Sequence, residues 1–140
     1  AGRASDRFGR RRTVLGGLSL AILGTGILGA AAWVPELRSL TVLAVAAPLV
    51  GTGFLVALPA WYAFAGGETG SAARLGAVMA AQGLGAIIAA PIGAGMYEKL
   101  QPFGAAHGLG VEFAHWSPFA AASACLLFAA LLLGIYSSRR

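Results

Sequence analysis

Gly2-Arg3-Ala4-Ser5-Asp6-Arg7-Phe8-Gly9-Arg10-Arg11-Arg12 runs without a break into Thr13-Val14-Leu15-Gly16-Gly17-Leu18, the start of an apolar stretch that lasts to Val34. A tight, highly charged turn therefore abuts a segment with no Asp, Glu, Lys, Arg or His. Spanning a hydrocarbon core takes ~20 residues of helix, and Thr13–Val34 is long enough to do it. Three further segments qualify: Leu40–Phe64, Leu75–Tyr97 and Pro118–Tyr136, each also free of ionisable acids, bases and histidine. None shows the apolar/polar alternation that a barrel strand requires, so the segments are expected to be helices.

Composition agrees. Hydrophobic residues make up 58% of the chain and charged residues only 11%, with a mean hydropathy of +0.78. A soluble domain carries charge on roughly a quarter of its residues, which covers its surface. The net charge of +5 is clustered, and the lone Cys125 excludes an internal disulfide. The fold class expected is all-α, a polytopic bundle of four spans, with residues 1–12 as a charged loop and 13–140 as the membrane segment. The start at Ala1, inside the charged stretch, suggests a piece of a longer chain.

The connections order the helices. Pro35-Glu36-Leu37-Arg38-Ser39 is short, which makes the first two spans antiparallel neighbours. Ala65 to Ser71 is a polar, glycine-rich loop, and Glu98 to Ser117 is expected to be the longest connection, mixing Gly, Pro, His and aromatic residues. In a four-span arrangement Arg3, Arg7, Arg10, Arg11, Arg12, Arg74, Arg139 and Arg140 fall on one side and only Arg38 and Lys99 on the other. That asymmetry puts the first side in the cytoplasm. Trp33, Trp61, Tyr62, Tyr97, Trp116 and Tyr136 sit near the expected span ends, as an aromatic belt would.

A basic cluster beside a span ordinarily serves orientation and lipid contact rather than nucleic-acid binding. Gly2, Asp6 and Gly9 at fixed spacing add something that orientation does not need. The glycines allow a sharp turn, and Asp6 places a carboxylate where it can pair with arginines or sit at a helix N-terminus. The pattern Gly-x-x-x-Asp-Arg-x-Gly-Arg-Arg resembles the inter-helix signature of major facilitator superfamily transporters. The resemblance implies a twelve-helix fold of which this chain carries four helices. It also implies a gating role for Gly2, Asp6, Arg7, Gly9, Arg10 and Arg11: a cytoplasmic charge network against an adjacent helix that latches one state of an alternating-access cycle. The segment Leu40–Phe64 lacks the intramembrane Arg common in the fourth helix of that family, and the chain stops soon after its last span. Both features favour the last four helices of the C-terminal half, with a truncated N-terminal half cut at the central loop as the alternative.

The third span, Gln82 to Gly95, holds small residues four apart at Gly85, Ala89 and Gly93, with a bend expected at Pro91. These residues are expected to pack against a neighbouring helix. The stretch is also similar to the glycine- and proline-rich helix of the family's proton antiporters, with Ala90-Pro91 in place of the usual Gly-Pro. Thr52, Tyr62 and Gln82 are the candidates for lining a substrate path.

Other signals exclude more than they suggest. Glu112-Phe113-Ala114-His115 has the Glu-x-x-His spacing of carboxylate metal sites, but no second copy accompanies it, so no metal is expected. His107 and His115 are expected to be polar residues of an external loop. Gly16-Gly17 and Gly24 to Gly29 lack the strand and lysine of a phosphate-binding loop. No catalytic constellation is present, and neither an enzyme nor a cofactor is expected.

The resemblance thus points to secondary transport of a small molecule, with proton-coupled efflux of a drug or metabolite as the leading expectation. No intramembrane acid is present here to carry the proton. Sugar or organic-acid uptake is the alternative within the same fold, and a non-transporting structural subunit the alternative outside it. A self-contained dimeric four-helix exporter would need an acid in its first span, which Thr13–Val34 lacks. The expected surroundings are the lipid bilayer of a bacterial inner (plasma) membrane and the missing helices of the same transporter.

Overall fold

A computed structural model describes residues 9–66 and 72–138. It contains four helices: α1 (Arg10–Ala30), α2 (Leu40–Gly66), α3 (Ala72–Ala106) and α4 (Phe113–Ser138), with one 3-10 turn at Pro35–Leu37 between α1 and α2. All four are long and apolar enough to cross a membrane. Helix α1 is the centre. It packs against both α2 and α4, whereas α3 lies outside, touching α4 and α2.

The α1–α2 seam is built on absent side chains. Val14, Gly17, Ala21, Gly24 and Leu28 of α1 are buried at alternating spacings of three and four. Ala46, Gly53, Ala57 and Ala60 of α2 are buried in the same rhythm. This is the heptad pattern that keeps one face turned toward a partner helix. A Cβ added at Gly17 would lie 2.6 Å from the Gly53 carbonyl oxygen, and one at Gly53 would lie 2.6 Å from that of Gly17. One at Gly24 would meet Val50 Cγ2 at 2.7 Å. The backbones thus approach as closely as they can only because these positions are glycine. Gly29 plays the same part toward α4, where its Cβ would lie 2.7 Å from Ala120. Farther along this contact, the Ser123 hydroxyl donates to the Ile22 carbonyl at 3.3 Å.

Local chemistry sets the helix ends. Gly9 precedes α1 at φ 85, ψ 141, a conformation open to glycine and costly for any other residue. Ser39 caps α2: its hydroxyl accepts from the Val42 N–H at 3.3 Å. Helix α3 closes in a Schellman motif, with Leu109 N–H donating to Gly104 O at 2.9 Å, Gly108 N–H to Ala105 O at 3.5 Å, and Gly108 at φ 72. Pro118 lies inside α4, where its missing N–H frees the Ala114 carbonyl. The Ser117 hydroxyl donates to that carbonyl at 3.4 Å.

One expectation needs correction. The connection expected over Glu98–Ser117 is mostly helix, and only residues 107–112 lie between α3 and α4. Glu98-Lys99-Leu100-Gln101 are all good helix formers, and the carbonyl that Pro102 leaves free lies beyond the apolar stretch. Among the described residues no helix packs against Gly85, Ala89, Pro91 and Gly93, which leaves that face open to helices outside this chain. Gly85 and Gly93 have nothing within 4 Å of an added Cβ, and every residue from 79 to 92 is exposed. The close helix contacts run through α1 instead.

Gly53→Val is expected to cost roughly 1–3 kcal/mol by overpacking the seam. Gly85→Ala should gain about 0.5–1 kcal/mol from lower unfolded-chain entropy. Unfolding of the detergent-solubilised protein, followed by Trp fluorescence, tests both. A loss at Gly85 as large as that at Gly53 would reveal a partner on α3 beyond the described residues.

Candidate functional site

Three polar constellations punctuate this apolar bundle, one at each end and one between α2 and α3. At the N-terminal end of α1, the Arg10 guanidinium donates to the Ala63 carbonyl of α2 at 3.0 Å. The Arg11 guanidinium donates to the Gly134 carbonyl of α4 at 3.2 Å. Both acceptors lie near helix C-termini, where backbone carbonyls run out of partners and the macrodipole favours cations. Consecutive arginines, pointing apart around α1, therefore tie it to both neighbours. Thr13 steadies the turn, its N–H and hydroxyl each donating to the Gly9 carbonyl at 3.1 Å. Of the expected gating residues, Gly9, Arg10 and Arg11 are found here. Gly2, Asp6 and Arg7 lie outside the described residues.

Close to the arginine end, one residue before Ala63, the Tyr62 hydroxyl donates to Gln82 Oε1 at 2.6 Å, joining α2 to α3. Two of the three candidate path residues thus meet, and both remain partly or fully accessible. Thr52 is exposed elsewhere, ten residues from Tyr62, or roughly 15 Å along the helix axis.

The third constellation centres on a residue whose importance the sequence did not signal. Arg38 Nε donates to the Ala31 carbonyl and Nη2 to the Ala32 carbonyl, both at 2.8 Å. Nη2 also donates to the Leu109 carbonyl at 3.2 Å, and Nη1 lies 3.5 Å from Glu112 Oε2. One side chain, 12% exposed, thus caps α1 and fastens the α1–α2 connection to the α3–α4 connection. The available signal was a cation a few residues past a helix end, in a turn too short to let it leave.

Glu112 and His115, three residues apart and spaced like a metal-binding pair, have other engagements. Glu112 faces Arg38, and His115 Nε2 lies 3.3 Å from the Tyr97 hydroxyl with the two rings edge to face. His107 stacks on Phe103, its Nδ1 2.9 Å from the Phe103 carbonyl. Among the described residues no group of three or more His, Cys, Asp or Glu is placed to hold a metal ion.

Compared with known proteins, the chain matches no family model, no curated protein and no solved structure. Its functional reading therefore stands on the sequence pattern and this geometry.

Arg38→Ala is expected to lower stability by roughly 2–3 kcal/mol, because it strands backbone acceptors that a charged donor satisfied. Glu112→Gln should cost less than about 1 kcal/mol, since the carboxylate is 63% exposed. Denaturant unfolding of the two variants ranks them. Equal losses would place the value of Arg38 in its ion pair rather than in the carbonyls.

Proposed function

We propose that the chain forms part of a secondary transporter of the major facilitator type, working by alternating access, with the arginine end of α1 acting as a latch at the cytoplasmic face. Supporting this reading above all is the pair of bonds from Arg10 and Arg11 to the carbonyls of Ala63 and Gly134. They belong to the same Asp-Arg-x-Gly-Arg-Arg pattern whose resemblance suggests gating. A side chain bonded to a backbone carbonyl of another helix holds one packing and releases it without rearranging either helix. That is what a rocking two-state device needs at its end. The substrate binds elsewhere, near the membrane midplane between helix bundles, and proton-coupled efflux of a drug or metabolite is the leading form. The Tyr62–Gln82 pair, near the arginine end, is the polar feature in this chain best suited to face the cytoplasmic mouth of such a path.

Transport should be assayed in inverted vesicles containing the complete transporter of which this chain forms part, energised with a proton gradient and offered a lipophilic cation, a sugar and an organic acid in turn. Wild-type protein is expected to move at least one of them. Asp6→Asn and Arg11→Gln should each slow that flux at least about tenfold, a loss of ~1.4 kcal/mol in a conformational step, at unchanged protein level. Flux unaffected by both substitutions removes the latch; flux no greater than in empty vesicles for all three removes the transporter reading.

Orientation follows from the arginine asymmetry. In a Cys125→Ser background, Ser39→Cys is expected to react with a membrane-impermeant maleimide added to intact cells, and Ala73→Cys only after permeabilisation. The reverse pattern would put the latch on the outside.

A further inference from the structure

Between α1, α2 and α4, immediately beyond the arginine end, lies an apolar cleft of about 630 Å³. Val14 and Leu18 form its floor, Phe54, Trp61 and Phe64 one wall, and Leu133 with its α4 neighbours the other. The volume falls within the ~300–1,000 Å³ of small-molecule sites. Its lining offers almost no hydrogen-bonding group, so a polar solute would lose its hydration there and recover nothing. An alkyl chain would lose nothing.

The charge at the mouth completes the specification. Arg10 and Arg11 sit one helical turn before Val14. They are anchored beside Phe64 and Leu133, through the carbonyls of Ala63 and Gly134. Each guanidinium has five donors and uses only one in these bonds. Among the described residues Arg11 Nε is buried with no acceptor, a state that costs free energy until one arrives. Gly9 supplies no side-chain cap, so the first-turn amides of α1 add positive potential. The described acids, Glu36, Glu98 and Glu112, all belong to the opposite end, while Asp6 and Glu68, on the arginine side in sequence, lie outside the described residues.

We propose that this cleft and its two arginines form a binding site for an anionic phospholipid, one acyl chain lying along Val14 and Leu18 and the headgroup phosphate held by Arg10 and Arg11. The site needs only that the helices be embedded in a membrane and does not depend on transport. The occupant bridges α2 and α4 at the end where the arginines bond, so its phosphate competes with the carbonyls of Ala63 and Gly134 for the same guanidinium donors. Occupancy therefore loosens the ties of α1 to its neighbours.

Native mass spectrometry of the protein in dodecyl maltoside, with phosphatidylglycerol, phosphatidylcholine or palmitate added at equal concentration, tests this. Phosphatidylglycerol should be retained about tenfold more tightly than phosphatidylcholine, and Arg10→Gln/Arg11→Gln should weaken it by about thirtyfold, two cations' attraction to an anionic lipid. Ala129→Trp, which fills the α4 wall while leaving the arginines in place, should weaken both phospholipids alike. Circular dichroism confirms that each variant keeps its helices, and the two variants fail independently. The proposal is overturned by equal retention of the two phospholipids, by undiminished binding in the double arginine variant, by indifference to Ala129→Trp, or by palmitate binding as tightly as phosphatidylglycerol.

Discussion

Everything in this bundle depends on how closely α1 can approach α2. Water drives apolar surfaces together in a soluble protein, but lipid tails are as apolar as the helices and supply no such drive. What remains is direct packing, which improves steeply as backbones converge. Gly17 and Gly53 permit the convergence, since a methyl group at either would lie 2.6 Å from the other's carbonyl oxygen. With that contact in place α1 becomes the axis, and α4 packs against it through Gly29 and Ala120. Without it there is no centre for the other helices to surround.

Arginine then secures both ends of the axis by the same chemistry. Arg10 and Arg11 at one end and Arg38 at the other bond mainly to backbone carbonyls near helix ends or turns rather than to carboxylates. A carbonyl near a helix terminus is an acceptor in want of a donor, and it is present whatever the side chain. This lets a chain with very few acids still use its cations structurally. The two ends differ in consequence. Arg38 is largely enclosed and joins connections that are short, whereas Arg10 is exposed and Arg11 half-buried, with donors to spare.

The sequence made the four helices legible because length and apolarity decide a membrane span almost alone. It misplaced the end of α3, since a run of Glu, Lys, Gln and Pro looks like a loop when read for polarity. Read for caps, His107-Gly108-Leu109 marks a helix terminus. It did not draw attention to the small residues that pack within this chain. Gly85, Ala89 and Gly93 have a conspicuous spacing of four, while the seam that packs alternates three and four through Gly17, Ala21 and Gly24. Pattern within one helix cannot say which helix is opposite it; the matching rhythm at Ala46, Gly53, Ala57 and Ala60 could have. In the candidate site, Gly9 was legible because its backbone demands glycine. Arg38 was not, because its partners are carbonyls, which every sequence has and none displays.

Helix α3 is a long rod gripped at one end. Its 35 residues make it about 52 Å long, well beyond the ~30 Å of a hydrocarbon core. Its last turns are held fast: Gly104 is buried against Phe113 and the Gly110 carbonyl, and Arg38 grips Leu109 just beyond. From residue 79 to 92 nothing in the described chain covers it, and the bond to Tyr62 is its one hydrogen-bonded tie to α2 among the described residues. Pro91 interrupts its backbone hydrogen bonding along the uncovered stretch. A shift of α3 about its Arg38 end would therefore be passed through Gln82 to Tyr62, one residue from the Ala63 carbonyl that Arg10 holds, so that a single hydroxyl couples the two arginine ends of the bundle.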